Sequence, residues 1–146
     1  MKEILVVHGP NLNLLGSREP EIYGSKTLSD INQELSDLAL VHHYQVKSFF
    51  SNHEGEIVDF IQDHGEAASG LIINPAAFTH TSVAIRDAIL ARKLAMIEVH
   101  LSNIYTREEF RQRSYFHDIA RGVILGLGSK GYSLALEALI SILDKE

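Results

Sequence analysis

The chain contains no cysteine, which removes disulfides, thiolate metal centres and a cysteine nucleophile from consideration. It also lacks any basic run, and 13 Lys plus Arg against 19 Asp plus Glu leave a formal charge of −6. Electrostatic capture of nucleic acid or of an anionic membrane calls for the opposite sign. No long apolar run is present: the first, Ile4 to Val7, is too short for a signal peptide or a membrane span. Internal repeats, low-complexity tracts and linker-like stretches are missing as well. What is there is an ordinary globular composition, 146 residues with 45% hydrophobic and 22% charged side chains. A chain of this length buries roughly 70% of the surface it exposes when unfolded. The expectation is one soluble, cytoplasmic domain spanning residues 1–146.

Short apolar runs alternate with longer amphipathic segments. Ile4–Val7 reads as a buried strand, β-branched and uninterrupted, and Val46–Phe50, Leu71–Ile73, Ala95–Leu101 and Val123–Leu127 read as four more. Thr27, with Asp30 three positions on, opens a helix carrying the stripe Leu28, Ile31, Leu35 and Leu38. Ile57, Val58 and Ile61 mark a second helix ending near Gly65; Val83–Lys93 is a third and Leu134–Leu143 the last. Thr106 and Glu109 suggest another capping box, opening a short helix through Arg113. This alternation implies an α/β fold with a five-stranded parallel sheet and helices on both faces.

In open doubly wound sheets, ligands sit beyond the carboxyl ends of the strands, where the strand order reverses. Those ends deliver His8 and Asn11; Ser51, Asn52 and His53; Asn74; and Glu98, His100, Ser102 and Asn103. Convergence of these polar side chains on one rim is the expected pocket. Period-2 alternation puts Glu98 and His100 on one face. A carboxylate holding an imidazole suits general acid/base work, and equally suits a buried structural pair. The loop Gly16–Gly24 holds Arg18, Glu19, Pro20, Glu21 and Tyr23 and has the character of a lid. A tyrosine acts as a base near neutrality only beside a cation, which Arg18 supplies; otherwise the two are surface side chains. Arg107 and Arg111 share a face at i, i+4, with Arg113 beyond; the pattern suits one of them as a carboxylate fork in the pocket and equally suits a solvated face. Asp87 beside Arg86 reads as surface.

Other patterns carry less. Gly126-Leu127-Gly128-Ser129-Lys130-Gly131 matches G-x-G-x-x-G but lies after the last strand, with no later strand to supply an acidic ribose ligand. It reads as a tight turn allowing close helix–sheet packing. Eight histidines include no H-E-x-x-H or H-x-H spacing, and His42, His43, His64 and His117 read as solvated or boundary residues. His80 and His100 are free to meet in space, and the sequence requires no ion to join them.

Taken together, HGPNLNLLGSREPEIYG at 8–24, SNHEGE at 51–56, LIINPAAFTHTSVAIRDA at 71–88, IEVHLSN at 97–103, REEFRQRSYF at 107–116 and GVILGLGSKGY at 122–132 resemble the type II 3-dehydroquinate dehydratases over essentially the whole chain. The resemblance implies a flavodoxin-like fold and a cofactor-free, metal-free lyase. Such an enzyme converts 3-dehydroquinate to 3-dehydroshikimate in the shikimate route to aromatic amino acids, by anti elimination through an enol or enolate. Carried onto matching positions, Tyr23 abstracts the C2 proton and Arg18 favours its phenolate. His100, oriented by Glu98, protonates the departing C1 hydroxyl, and Asn11 helps stabilise the enolate. Asn74, His80, Leu101, Ser102 and Arg111 bind substrate. Asp87 arrives from a neighbouring subunit of a homododecamer built from trimers.

Two positions depart from the family pattern. Phe50 stands where members usually have Gln, altering the wall behind the second strand or a subunit contact. Asn74 is followed by Pro-Ala-Ala where others often have glycine. Two other classes are disfavoured by the residues themselves. A flavin carrier wants a Ser/Thr/Gly-rich phosphate loop after the first strand, and a phospho-receiver wants clustered acids there with Asp ending the third. A metal hydrolase would show a stoichiometric ion needed for turnover.

Overall fold

A computed structural model describes residues 1–17, 21 and 24–146. Five strands, β1 (Lys2–His8), β2 (Tyr44–Phe50), β3 (Gly70–Asn74), β4 (Ala95–His100) and β5 (Gly122–Leu125), form one parallel sheet in the order β2-β1-β3-β4-β5. That is the flavodoxin-like order, with its reversal between β1 and β3. Among the described residues, four α-helices connect or follow the strands: α1 (Leu28–Val41), α2 (Glu54–Gly65), α3 (Val83–Arg92) and α4 (Lys130–Asp144).

Alternation along each strand sends neighbouring residues to opposite faces, and both faces are covered. Ile4, Val6, Ile72, Ile97 and Val99 meet Ile31 and Leu35 of α1 and Leu136 and Leu139 of α4. Leu5, Val7, Leu71, Ile73 and Met96 meet Ile57 and Ile61 of α2, Ile85 and Ile89 of α3, and Phe116. A strand buried on both sides has no reason to alternate polar and apolar, which is why these strands read as continuous apolar runs.

The helix signals hold in most places. Thr27 Oγ1 accepts from the Asp30 amide at 3.1 Å and the Asp30 carboxylate accepts from the Thr27 amide at 3.0 Å, the expected capping box. At α3 the cap is Ser82, whose hydroxyl accepts from the Ile85 amide at 3.0 Å. The second expected box does not form. Thr106 donates its hydroxyl to the Asn103 carbonyl at 2.8 Å, and Asn103 Oδ1 accepts from the Tyr105 amide. The segment folds as two 3-10 turns, Ile104–Thr106 and Glu109–Arg111, rather than as one helix through Arg113. Asn103 is the cap that opens the first turn, and the Thr106 hydroxyl, bonded back to the Asn103 carbonyl, does not cap a following one. The last helix begins at Lys130, four residues before its apolar stripe, and the fifth strand ends at Leu125.

The glycine-rich turn does what close packing demands. Gly126 and Gly128 have φ of 85° and 61°, conformations that L side chains resist. Their amides donate to the His100 and Leu101 carbonyls at 3.3 and 3.0 Å, holding the chain that leaves β4. At the sheet centre, a Cβ on Gly9 would lie 2.2 Å from the Pro75 carbonyl oxygen. Only glycine lets the loops after β1 and β3 approach there, and the Gly9 amide donates to the Asn74 carbonyl at 2.8 Å. No helix among the described residues is long and apolar enough to cross a membrane.

Candidate active site

The chain leaving β1 turns to the α1 face of the sheet and that leaving β3 to the α3 face. Their divergence opens a cleft of about 250 Å³ above the strand ends. Asn11, Leu12 and Leu15 line it from the β1 loop; Asn74, Ala76 and His80 from the β3 loop; His100, Leu101 and Ser102 from the β4 loop. Arg107 and Arg111 reach it from the two 3-10 turns. These arginines do not share a helical face, because no helix forms; the turns bring both to the cleft instead.

Not every strand-end residue joins them. Among the described residues that line the cleft, none comes from the end of β2. Ser51 is buried, accepts from the His53 amide at 2.8 Å and donates to the Glu56 carboxylate. Asn52 acts indirectly, its Oδ1 accepting from the Asn11 amide at 2.9 Å. That bond holds Asn11 in the left-handed region at φ 70°. His8 lies behind the cleft, fully buried on the α1/α4 face. Asp87 is exposed on α3 and does not line the cleft of its own chain. Arg18 and Tyr23, and with them Glu19 and Pro20, lie outside the described residues.

Glu98 is fully buried on the α2/α3 face, two register positions before His100 and on the same side of the sheet. Its Oε2 accepts from His100 Nε2 at 2.5 Å and from the Ser114 hydroxyl at 2.9 Å; its Oε1 accepts from His117 Nδ1 at 2.7 Å. Burial alone would push the Glu98 pKa up. The hydrogen bond and charge of His100, and then those of His117, outweigh it and hold the carboxyl below its ordinary value. An ionised carboxylate only accepts, so Nε2 of His100 carries its proton and Nδ1 is the nitrogen left for a ligand. His100 is thus an imidazole oriented and electrostatically supported from behind, an arrangement suited to donating a proton at the cleft.

His80 is set in a similar way from another side. Its Nδ1 donates to the Arg113 carbonyl at 2.8 Å, leaving Nε2 for the cleft. Burial first, then the nearby His100 and Arg111, pull its pKa below that of a free histidine despite the hydrogen bond to Arg113. Neutral His80 offers a lone pair to a hydroxyl. Arg111 donates Nε to the Glu108 carboxylate at 2.7 Å and lies over the Phe110 ring at 5.0 Å.

His42 and His43 are exposed, as expected, and His64 packs its ring against Phe60. His117 differs. Rather than a solvated boundary residue, it is the second imidazole on Glu98 and also lies 3.2 Å from the Tyr105 hydroxyl. Ser114 and Tyr132 are further neighbours of the site that the sequence does not mark. Each reaches the site through contacts 16 to 124 residues apart in sequence, for which local spacing holds no signal.

Comparison with known proteins shows the family and agrees with the fold. The family model described as dehydroquinase class II matches residues 2–140. The chain is 54% identical over 145 residues to the 3-dehydroquinate dehydratase of Halothermothrix orenii, covering 99% of this chain and 98% of the relative. It is 57% identical over 142 residues to that of Francisella philomiragia, covering 97% of each. A type II dehydroquinase structure from Propionibacterium acnes superposes with a TM-score of 0.90 at 40% identity, covering 97% of both chains. The sheet order, the cleft over its reversal and these full-length matches have one reading: this chain belongs to the type II dehydroquinase family.

Proposed function

We propose that the cleft over β1, β3 and β4 takes 3-dehydroquinate, and that its dehydration to 3-dehydroshikimate proceeds by anti elimination through an enol or enolate. The observation that carries this reading is the buried Glu98–His100 pair, whose free Nδ1 belongs to a residue lining the cleft. In the elimination, Tyr23, kept as phenolate by Arg18, takes the C2 proton. That hydrogen is activated by the adjacent carbonyl, so a modest base suffices once preorganised donors meet the enolate charge. Asn11 is the donor on that side, its left-handed backbone aiming it at the reacting region.

The electrons of the C2–H bond pass through the enolate to form the C1–C2 double bond as the C1–O bond breaks. Hydroxide is a poor leaving group and departs as water, with the proton supplied by His100. Because Nε2 is committed to Glu98, the proton given is the one on Nδ1, and the acting form is the imidazolium that the Glu98 carboxylate stabilises. Asn74, His80, Leu101, Ser102 and Arg111 hold the hydroxyls and the carboxylate of the substrate, Arg111 as the cation and His80 as acceptor. Asp87, exposed on α3, serves the site of a neighbouring subunit in a dodecamer of trimers. None of these steps calls for a redox group or a Lewis acid.

The test is incubation with 3-dehydroquinate without added cofactor, followed by the rise of enone absorbance. Enone formation is expected in chelator-treated enzyme. Its absence while related cyclic hydroxy-ketones are dehydrated would overturn the substrate assignment.

A further inference from the structure

We propose that His8 and Tyr132 are positioning residues for Asn74, joined to it by a hydrogen-bond chain that admits one arrangement of protons and holds the Asn74 amide in a single orientation at the cleft. The inference rests on the dehydratase reading of that cleft.

His8 and Asn74 are register partners on β1 and β3, so their side chains leave the sheet on the same face. Both are buried there with Tyr132 of α4. The order of protons follows from one end. The Ala76 amide can only donate, and it donates to Asn74 Oδ1 at 3.1 Å. That settles which end of the Asn74 amide is oxygen. Nδ2 must then face the Tyr132 hydroxyl, 3.1 Å away, and donate to it. The Tyr132 oxygen accepts, so its own hydrogen goes to His8 Nδ1 at 3.0 Å. With Nδ1 accepting, the His8 proton sits on Nε2, which donates to Asn32 Oδ1 at 2.8 Å.

Each buried polar atom in the chain has a partner of the right kind, and the opposite His8 tautomer would leave the buried Tyr132 hydroxyl hydrogen without an acceptor. His8 is accordingly neutral, which burial favours by drawing its pKa down to about 4. One hydrogen of Asn74 Nδ2 remains for a ligand oxygen. A free asparagine can flip its amide and offer either end; this one is locked by the Ala76 amide on one side and by Tyr132 on the other, and Tyr132 and His8 do not line the cleft. The consequence is for binding rather than for proton transfer.

Tyr132→Phe keeps the ring and removes the link. With 3-dehydroquinate as substrate, KM is expected to rise about threefold to tenfold, the range for one neutral hydrogen bond, while kcat changes less than about twofold. Asn74→Ala should raise KM at least as far, and the double variant should be no worse than Asn74→Ala alone. A KM penalty for Tyr132→Phe that persists in full on the Asn74→Ala background, or no penalty at all, overturns the proposal. If Asn74→Ala itself leaves KM unchanged, the assignment of the cleft fails and this inference with it. Independently of activity, nitrogen NMR of His8 in the wild-type enzyme should show a pyrrole-type Nε2 and a pyridine-type Nδ1 at neutral pH. The opposite tautomer would break the chain at its first link.

Discussion

Glu98 bonds His117 Nδ1 at 2.7 Å through the oxygen that His100 does not use. A fully buried carboxylate is thereby shared by two imidazoles and the Ser114 hydroxyl. Removing any donor leaves part of a buried charge unpaired, which costs more than the lost bond itself. Glu98→Gln keeps the shape and removes the charge that supports the His100 imidazolium, so kcat should fall about a hundredfold, the lower range for losing acid catalysis. His117→Ala, acting one step back through Glu98, should lower kcat by about threefold to tenfold with little change in KM, only part of what one hydrogen bond to a charged group is worth. Steady-state kinetics separates the two. Unchanged kcat in His117→Ala would mean that Oε1 needs no second imidazole.

Tyr23→Phe tests the proposed base directly. Its hydroxyl acts mainly in the transition state, so kcat should drop by more than about a thousandfold while substrate affinity changes much less. Single-turnover rates together with calorimetric binding check this, and a near-normal rate would remove Tyr23 from the mechanism.

Burial of neutral His8 makes stability pH-dependent. The unfolded chain takes up a proton at the ordinary histidine value of 6.5, the folded chain only near 4. Stability from this group is therefore complete above pH 6.5 and declines as the pH falls toward 4, by about 3 kcal/mol over that window. Glu98, held below its ordinary value of 4.5, works in a lower range: its contribution is present above that value and is lost as pH falls through the depressed one. Urea unfolding across pH 7 to 4 should show a distinctly shallower loss in His8→Asn than in the wild type. Parallel slopes would contradict the assignment.

Ala76 occupies the left-handed region at φ 52°, in the Asn74-Pro75-Ala76-Ala77 segment after β3. An L residue there costs roughly 1–2 kcal/mol, partly offset by the greater unfolded-state entropy of glycine. Ala76→Gly should raise the thermal midpoint by about 1–4 °C for a chain of this size. Scanning calorimetry reads it directly, and a lowered midpoint would show that alanine there is not strained.

Much of the molecule is legible in the residues in chain order. Continuous β-branched runs specify strands covered on both sides, the Thr27–Asp30 pair specifies where α1 starts, and Asn74-Pro75 specifies where β3 stops. These are local effects of propensity, capping and backbone geometry, acting within a few residues. The pairing of Glu98 with His100 belongs to the same class, because period 2 places them on one face whatever the rest of the chain does.

Which face that is, no local pattern says. His8 and His100 both end strands above the same edge, yet the register His8–Asn74 and Ile73–Glu98 sends them to opposite sides of the sheet. One becomes a neutral buried support next to Tyr132, the other a cleft residue backed by a charge. Asn52 holding Asn11, His117 sharing Glu98 and Tyr132 locking Asn74 arise in the same way. Strand register and helix docking are settled by burial of the whole apolar surface at once, so contacts across tens of residues exist only when the sheet is assembled. The amino-acid order alone determined the elements and the chemistry available at their ends; the assembled sheet decided which of those groups face a ligand and which stand behind it.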